Sequence, residues 1–363
     1  MRHHPTCWNK VLAKLGFRRV RSARKATSND WRRISQIEPL EARQYLAADT
    51  YIVTTLEDVA TAPGSNSWRL REALAHSAAD ASPGEDIIRF DGLSGTIELD
   101  PLLGQLPISR NVKIAGPGAD KLTVDAKGAS RVFYMSSGSE STISGLTITG
   151  GGNVSNGGGI YNLGGDLTLD SVIITGNTAS GGGGIATYNW YTSPGSLRIT
   201  NSTIDGNRAG AGSGIQVIAS SGAEIVIDSS TVSNNRAIGI ETASYSEGGG
   251  LSVAGDSSSS VTITNSTFSG NAALHGGAIR FYNSATPTSI VNTTIANNTG
   301  AGIDRVSTSA AVAIHNSIVA GNLSVLGASL DVINNFAPLA VRTTSSVAEA
   351  PAGSSTAQAT TSC

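Results

Sequence analysis

Charged and aromatic residues are scarce in this 363-residue chain, at 14% and 5% of the sequence, and cysteine occurs only twice. Cys7 and Cys363 stand in opposite tails, so the fold is not expected to depend on a disulfide. No apolar run reaches about 18 residues, which excludes a transmembrane helix. Glycine is abundant instead, at 43 residues, but it has no three-residue period, which excludes a collagen-like chain.

Charge is divided between a basic head and an acidic body. Residues 1–43 contain eleven Lys and Arg against three Asp and Glu, while the whole chain has a formal net charge of -2. No lysine follows Lys127 and the later arginines are scattered singly, so a nucleic acid is not predicted as a partner. Lys14 interrupts the best apolar stretch of the head, so an ordinary secretory signal is not predicted either.

A short segment, residues 37–49, closes the basic head. Its Leu40-Glu41-Ala42-Arg43 core, followed by leucine and small residues, resembles the N-terminal sorting segment of large exported proteins in planctomycete-type bacteria. Tyr45 stands where that segment commonly has a second leucine. The resemblance implies export, whereas the three-residue spacing of apolar residues from Ile34 to Leu40 is also typical of an amphipathic helix.

The sequence repeats one pattern of two apolar residues and an asparagine. An aliphatic residue is followed five positions later by a second apolar residue, and three positions after that by Asn. The six copies are Leu169/Ile174/Asn177, Ile199/Ile204/Asn207, Ile227/Val232/Asn235, Ile263/Phe268/Asn271, Ile290/Ile295/Asn298 and Ile314/Val319/Asn322. A seventh copy ends in Gly151, as expected for a turn position that needs a positive φ. Copies follow one another at 24 to 36 residues, which is typical of a solenoid.

Each unit has the features of short strands. Residues two apart are apolar, as in Leu167 and Leu169, which predicts strands with one buried face. Glycines before an aliphatic residue, as in Gly158-Gly159-Ile160, open most units and permit a sharp turn. Three brief strands per unit, joined at tight corners, predict an all-β parallel β-helix of about nine or ten turns.

The asparagine that ends each unit is predicted to be structural. Asparagine tolerates the left-handed conformation, and its amide can hydrogen-bond the amide of the next turn. We therefore expect an internal ladder of Asn177, Asn207, Asn235, Asn271, Asn298 and Asn322. Three Asn-x-Ser/Thr triplets, at Asn201, Asn265 and Asn292, match a glycosylation acceptor, but they coincide with the repeat, which favours a structural origin.

Segments in both halves of the chain resemble a known family. Phe268-Ser269-Gly270-Asn271 and Gly276-Gly277-Ala278-Ile279 are similar to the motifs of polymorphic outer membrane protein repeats, within right-handed parallel β-helix proteins. Upstream, residues 68–74 and their neighbours resemble the leader of bacterial surface β-helix proteins. Trp68-Arg69 stands where those proteins usually have a Cys or Gly together with a Ser. The resemblance spans residues 51–325. It implies a right-handed β-helix and export, but no activity, because the shared residues are turn and core positions.

A helix is predicted to cap the open end of the solenoid. Ser67 would cap a helix over residues 68–79, whose Leu70, Ala73 and Leu74 form an apolar stripe that covers strand edges. The predicted segments are a basic targeting segment (1–50), an N-terminal cap with the first turn (51–110), the β-helix repeats (111–335) and a disordered tail (336–363).

The residues give little support for an enzyme. A hydrolase needs two facing carboxylates, and the acids of the repeats are well separated in the sequence. A lyase needs a base and a group that neutralises the uronate, but no lysine follows Lys127 and the repeats contain no Asp-x-Asp cluster for calcium. No metal and no cofactor are predicted.

The best candidate site combines His275, Arg280 and Tyr282. Arg280 and Tyr282 follow Ile279 and are expected to point outward, where an exposed arginine beside a tyrosine could hold an acidic sugar. The same three residues are the weak candidates for catalysis. A solvated turn residue is the alternative for His275, because it directly precedes the turn glycines.

A second candidate patch is aromatic. Tyr188 is expected in the same outward register as Tyr282, three turns and about 14 Å away, and Trp190 and Tyr191 follow it closely. Aromatic faces suit sugar rings, so Tyr188, Trp190, Tyr191, Arg280 and Tyr282 are the predicted glycan-binding residues. The alternative is a loop in which Trp190 and Tyr191 fold back onto the solenoid.

These observations predict an exported, monomeric and non-catalytic β-helix protein, extracellular or at the cell surface or outer membrane. It would serve adhesion or contact with a polysaccharide or another surface component. The first alternative is a polysaccharide lyase or glycoside hydrolase of the pectin-lyase-like class, because many β-helices have such activities although fold does not imply function. A purely structural part of the cell envelope is the second alternative.

Overall fold

The computed structural model of the chain describes residues 49–59, 68–80, 84–189, 195–238, 246–282, 284–306 and 311–323, with three short strands within residues 332–347. The head before residue 49 and both cysteines lie outside the described residues, so the targeting segment stays a prediction. Strands are numbered below in chain order. Within the described residues, no helix combines the length and the apolar character needed to cross a membrane.

Sheet A runs the full length of the described solenoid. Each of its strands pairs in parallel with the equivalent strand of the next turn. Among the described residues it contains 11 strands, which are β1 (Thr50–Val53), β2 (Asp86–Phe90), β5 (Val112–Ala115), β8 (Glu140–Ser144), β11 (Asp166–Asp170), β14 (Leu197–Thr200), β18 (Glu224–Asp228), β22 (Ser260–Thr264), β25 (Thr288–Val291), β28 (Val312–His315) and β31 (Ala340–Val341).

Sheet B follows sheet A in every turn, after a short corner. In the described part of the chain it has 10 strands, which are β3 (Gly95–Glu98), β6 (Leu122–Asp125), β9 (Thr147–Thr149), β12 (Ile173–Thr175), β15 (Thr203–Asp205), β19 (Thr231–Ser233), β23 (Thr267–Ser269), β26 (Thr294–Ala296), β29 (Ile318–Ala320) and β32 (Ser346–Val347).

Sheet C closes each turn. Its nine strands within the described ranges are β4 (Leu106–Ile108), β7 (Phe133–Met135), β10 (Ile160–Asn162), β13 (Ile185–Tyr188), β17 (Ile215–Ala219), β21 (Leu251–Gly255), β24 (Ile279–Tyr282), β27 (Ile303–Val306) and β30 (Val332–Asn334). A small fourth sheet pairs β16 (Arg208–Ala209) with β20 (Arg236–Ala237) at the corner between sheets B and C.

The chain therefore winds through sheets A, B and C in turn, with all pairings parallel, as a right-handed parallel β-helix. Parallel strands with crossover connections adopt the right-handed arrangement almost without exception. The predicted fold is confirmed, and sheet C, which closes each turn, has nine strands in the described residues. Sheet pairing also reaches the segment predicted to be a disordered tail, because β31 pairs with β28 and β32 with β29.

The repeat residues form the hydrophobic core in stacked columns. The first position of every unit lies in sheet A, as in the run Ile199, Ile227 and Ile263, and the second lies in sheet B, as in Ile204 and Val232. These side chains are fully buried. Each residue packs on its equivalent about 4.8 Å away in the next turn, so the same apolar surface is buried repeatedly along the axis.

The six repeat asparagines form a continuous internal ladder. The backbone N–H and side-chain amide of Asn207 both donate to Oδ1 of Asn235, at 3.0 Å each, and Asn235 donates in the same way to Asn271. The amide of each asparagine also donates to a backbone carbonyl, as from Asn235 to Ile204 at 2.9 Å. The ladder runs from Asn177 to Asn322, and its members are at most 2% exposed.

The left-handed residue of this corner is not the ladder asparagine, contrary to the expectation from sequence. Positive φ falls on the residue before it, as at Gly206 with φ 64° and Asn234 with φ 53°. The chain bends at this residue, directly after the sheet B strand, and the asparagine that follows the bend points inward. Gly151 likewise needs no positive φ, but a Cβ there would lie 1.9 Å from the carbonyl oxygen of Gly158.

The Asn-x-Ser/Thr triplets are explained by the corner between sheets A and B. Asn201, Asn265 and Asn292 are exposed and left-handed, with φ near 50°. The middle residue of each triplet has a buried hydroxyl, and these residues are part of a second ladder. Ser202 N–H donates to Ser230 Oγ at 3.1 Å, and Ser230 N–H donates to Ser266 Oγ at 3.2 Å. This ladder was not predicted, because serine is common throughout the chain and the ladder residues do not stand out.

Helix α1 (Leu70–Ala79) lies against β1, β2 and β4 at the N-terminal end of the core. Leu70, Ala73 and Leu74 are buried, so the apolar stripe covers this end of the solenoid. The helix begins later than predicted, because Trp68 is held in an extended bridge to Val53. Arg69 takes the N-cap position without a side-chain cap, and Ser67 lies outside the described residues.

Asp256 organises the turn between β21 and β22. Burial works against its charge, but hydrogen bonds from Ser258, Ser221 and Ser259 lower the pKa of this carboxyl to about 2. A carboxyl whose pKa is lower in the folded state contributes stability above its unfolded pKa of about 4, and this stability is lost as the pH falls towards 2.

We expect Asp256→Asn to flatten the acid limb of the stability profile between about pH 4 and pH 2. Thermal unfolding midpoints measured across this range for the wild type and the variant test this. Asp91→Asn, at an exposed aspartate, controls for the change in net charge. Identical slopes for wild type and Asp256→Asn would show that the turn carboxylate does not favour the folded state.

Candidate binding surface on sheet C

One column of side chains follows the outward face of sheet C. Strand residues alternate inward and outward, so the residue after the buried first position of each strand faces outward. The register aligns Tyr134, Tyr161, Ala186, Gln216, Ser252, Arg280 and Asp304 in this order along the axis. We call this set the sheet C column.

Tyrosines stack at the N-terminal end of the column. The ring centroids of Tyr134 and Tyr161 are 5.8 Å apart with an interplanar angle of 61°. Tyr188, which projects from β13 over the small Ala186, continues the stack 5.5 Å from Tyr161 at 85°. These edge-to-face contacts are a favourable geometry for aromatic rings. All three tyrosines are half-buried, so the stack leaves part of its surface open to solvent.

Arg131 clamps this tyrosine stack. Its guanidinium carbon lies 4.9 Å from the ring centroid of Tyr161 and 5.8 Å from that of Tyr134. Its Nε and Nη2 donate to the carbonyl oxygen of Asn156 at 3.0 and 2.7 Å, and Nη1 donates to Gln105 Oε1. Cation–π contact and these hydrogen bonds fix the rings from one side. Burial lowers the pKa of Arg131, and the two tyrosines counteract this.

The hydroxyls of Tyr161 and Tyr188 are neutral groups. Burial raises the pKa of Tyr188 to about 12, and the neighbouring Tyr161 adds to the effect. Burial also raises the pKa of Tyr161. The Tyr188 hydroxyl lies 2.9 Å from Asn156 Oδ1 and 2.7 Å from Gln216 Oε1. The stack therefore offers apolar ring surface and neutral polar groups rather than a base.

Arg280 is in the outward column but is buried, which corrects the prediction of an exposed arginine. The residue is only 5% exposed. Its Nη2 lies 3.6 Å from Glu247 Oε1 and its Nη1 lies 3.6 Å from Asp304 Oδ2. Tyr282 lies beside it, with the guanidinium carbon 5.5 Å from the ring centroid, and is 41% exposed. The carboxyl group of Asp304 on the adjacent strand, that of Glu247 in the turn before β21, and this ring cover the arginine.

The guanidinium of Arg280 is incompletely hydrogen-bonded. At 3.6 Å both carboxylates are beyond the usual range of about 2.7–3.2 Å for N–H···O bonds. Its Nε and Nη1 are buried and have no hydrogen-bond partner among the described residues. Buried N–H donors without an acceptor are rare and unfavourable, so this position differs from Arg131, whose three guanidinium nitrogens all donate hydrogen bonds.

The pKa of the Asp304 carboxyl is raised, which its position in the sequence did not indicate. Burial raises its pKa, Arg280 and His275 act in the opposite direction, and Glu247 raises it further. The acids of the repeats were expected to be well separated, yet Glu247 and Asp304 both lie against Arg280. They meet because Glu247, in the turn before β21, is bridged to His275 before β24, and Asp304 on β27 pairs with Arg280.

The predicted site residues are thus only partly brought together. His275 is exposed, forms a backbone bridge with Glu247 and contributes to the field at Asp304. Tyr188 and Tyr282 occupy one register column, three strands apart, so they are not in contact. Trp190 and Tyr191 lie outside the described residues, and their predicted role stays a prediction.

Arg131, Tyr134 and Tyr161 were not predicted from the sequence. Tyr161 could have been predicted from its position in the repeat. It follows Gly158-Gly159-Ile160 in the same way as Arg280 follows the glycines and Ile279 of a later unit. Tyr134 lies in a turn without the glycine pair, and the Arg131 clamp depends on neighbouring turns. Among the described residues, no group of three or more His, Cys, Asp or Glu is arranged to hold a metal ion.

Comparison with known proteins agrees with the fold. Residues 126–251 match the family described as right handed beta helix region. This segment includes the tyrosine stack and ends at the first residue of β21. No curated protein matches the chain.

Proposed function

We propose that this protein is an exported, non-catalytic β-helix protein that contacts carbohydrate with the outward face of sheet C. The tyrosine stack clamped by Arg131 is the observation that carries the proposal. A half-open array of rings in a chain otherwise poor in aromatic residues offers apolar faces to sugar rings, with amide groups beside them for hydroxyls. The sorting-segment resemblance supports export, and with it a role at the cell surface or outside the cell.

The rigidity of the stack favours binding. Each ring is held by its neighbour, by the cation–π contact or by the hydroxyl contacts of Tyr188, so little side-chain freedom remains to be lost when a ligand binds. The column then continues through half-buried Gln216 and buried Ser252 to Arg280, and Tyr282, three strand spacings or about 14 Å from Tyr188, is the exposed side chain at that end. A linear chain of sugars fits such an extended surface better than a single small molecule.

We expect Tyr161→Ala to raise the Kd for a bound polysaccharide about 2- to 10-fold, because it removes the central ring of the stack. Affinity electrophoresis of the full chain through gels that contain plant, algal and bacterial polysaccharides measures this. Thr168→Ala, at a half-buried outward position of sheet A, is the matched control and should bind as the wild type does. Equal retention of all three proteins in a gel that retards the wild type would exclude the tyrosine stack as the contact.

A glycoside hydrolase is the second candidate function, and the pair of Glu247 and Asp304 favours it. Hydrolases use one protonated and one ionised carboxyl group, and the raised pKa of Asp304 suits the protonated role. Incubation of the full chain with uronate and neutral polysaccharides, followed by reducing ends and by the ultraviolet absorbance of unsaturated products, distinguishes the functions. Product that disappears in both Glu247→Gln and Asp304→Asn would replace our proposal with catalysis.

A further inference from the structure

The chemical class of the bound glycan can be inferred from one group of side chains. We call this group the Arg280 cluster, and it consists of Arg280, Glu247, Asp304 and Tyr282. We infer that this cluster binds hydroxyl groups of an uncharged sugar and selects neutral glycans against uronates. The inference rests on the proposed function and names its ligand class. This neutral ligand differs from the acidic sugar that an exposed Arg280 was predicted to bind.

The hydrogen-bonding state of Arg280 is the first step of the argument. The N–H groups of Nε and Nη1 are buried and have no acceptor in the described residues. The carboxylate oxygens of Glu247 and Asp304 are 3.6 Å from the guanidinium nitrogens. A group that completes this cluster must accept hydrogen bonds from the arginine. A hydroxyl also donates, so one hydroxyl can bridge an arginine N–H and a carboxylate oxygen, whereas a carboxylate ligand can only accept.

The charge of the cluster is the second step. Arg280 lies against the two carboxyl groups of Glu247 and Asp304, His275 adds to the field at Asp304, and no lysine follows Lys127 in the sequence. A uronate carboxylate that bound Arg280 would lie near Glu247 and Asp304 and be repelled by both. Unfavourable charges of this kind are one way in which a binding site rejects the wrong ligand.

Accessibility is the third step. Arg280 is covered, but the side chain of Glu247 is 23% exposed and Tyr282 is 41% exposed, so the open side of the cluster lies at these two residues. A sugar ring that packs on the Tyr282 face can direct its hydroxyls towards Glu247 and the arginine beneath. Gly276 makes the arginine position possible, because a Cβ at this glycine would lie 2.7 Å from Arg280 Cβ.

The test compares glycans that differ only in charge. Polygalacturonate and its fully methyl-esterified form share one backbone, and a set of neutral galactans, xylans and glucans extends the comparison. We expect the full chain to bind neutral polymers, including the ester, at least about tenfold more tightly than polygalacturonate in affinity electrophoresis at neutral pH and low salt.

Two variants identify the cluster as the origin of this selectivity. The double substitution Glu247→Gln with Asp304→Asn removes the repelling charges, and we expect it to reduce the preference for the neutral ester by at least about fivefold. Arg280→Gln keeps a donor of similar length and should weaken binding of neutral glycans. Arg198→Gln, on sheet A, is the control. Circular dichroism and thermal unfolding identify any variant that has not folded.

The outcomes separate this inference from the proposed function. Tighter binding of polygalacturonate than of its ester, lost in Arg280→Gln, would overturn the inference while the proposal of glycan contact stands. Neutral selectivity that the double variant leaves unchanged would also overturn the inference, because the selecting charges would then lie elsewhere. Absence of binding to every polymer would overturn the proposed function, and the inference with it.

Discussion

Replacing Asn235 by alanine is expected to lower the free energy of unfolding by about 3–5 kcal/mol. The side chain accepts from the backbone N–H and amide of Asn207, and it donates to Ile204 O and Asn271 Oδ1, all within 3.0 Å. Alanine removes these four bonds and leaves the buried N–H of Asn207 without an acceptor. Each buried donor that loses its acceptor costs about 1–3 kcal/mol.

Urea unfolding followed by circular dichroism measures the effect. The matched control is Asn292→Gly, which removes an exposed asparagine at φ 51°, a conformation that glycine adopts freely, and we expect it to cost less than about 1 kcal/mol. If Asn235→Ala costs no more than this control, the ladder is a consequence of stacking and not a source of stability.

Replacing Arg71 by leucine is expected to destabilise the N-terminal cap by about 3–5 kcal/mol. The guanidinium of Arg71 binds Asp58 in a bidentate pair, with Nε to Oδ1 and Nη2 to Oδ2 both at 2.7 Å. It also donates to the carbonyl oxygens of Leu103, Gly104 and Gln105, so it ties helix α1 to the first turn. Asp58 is 7% exposed, and without Arg71 it becomes a buried unpaired charge.

The control for Arg71 is Arg198→Leu, which breaks the pair with Glu224 at 3.7 Å. Both side chains there are about half exposed, at 48% and 57%, and such pairs contribute at most about 1 kcal/mol. The double variant Arg71→Leu with Asp58→Asn should recover part of the stability, because it removes the unpaired charge. No recovery would show that the lost contacts to the three carbonyls, and not the charge, account for the effect.

The core and the ladder were predictable because their residues obey a repeat. Leu169, Ile174 and Asn177 have equivalents at fixed offsets in five later units, and each offset places an inward side chain at the same corner or strand. Turn chemistry was less predictable. Whether the positive φ falls on the ladder asparagine or on the residue before it depends on where the sheet B strand ends, and both positions accept Gly or Asn.

The candidate site was harder to predict because outward residues do not repeat. Tyr161 and Arg280 occupy equivalent positions in their strands, yet one is a half-open ring and the other is buried beneath two carboxyl groups. Burial of an outward residue depends on the side chains above and below it in the neighbouring turns. Glu247 and Asp304 cover Arg280, although they lie in different repeat units.

The sequence by itself determined the parallel β-helix, the inward columns and the asparagine ladder, since apolar spacing and turn residues specify what faces the core. Only the tertiary structure decided which outward side chains are neighbours. Successive ladder asparagines are 24 to 36 residues apart, because the loops between turns vary in length. The register that hydrogen bonding imposes between strands absorbs these differences. It brings Arg131 onto Tyr161, and Glu247 and Asp304 onto Arg280.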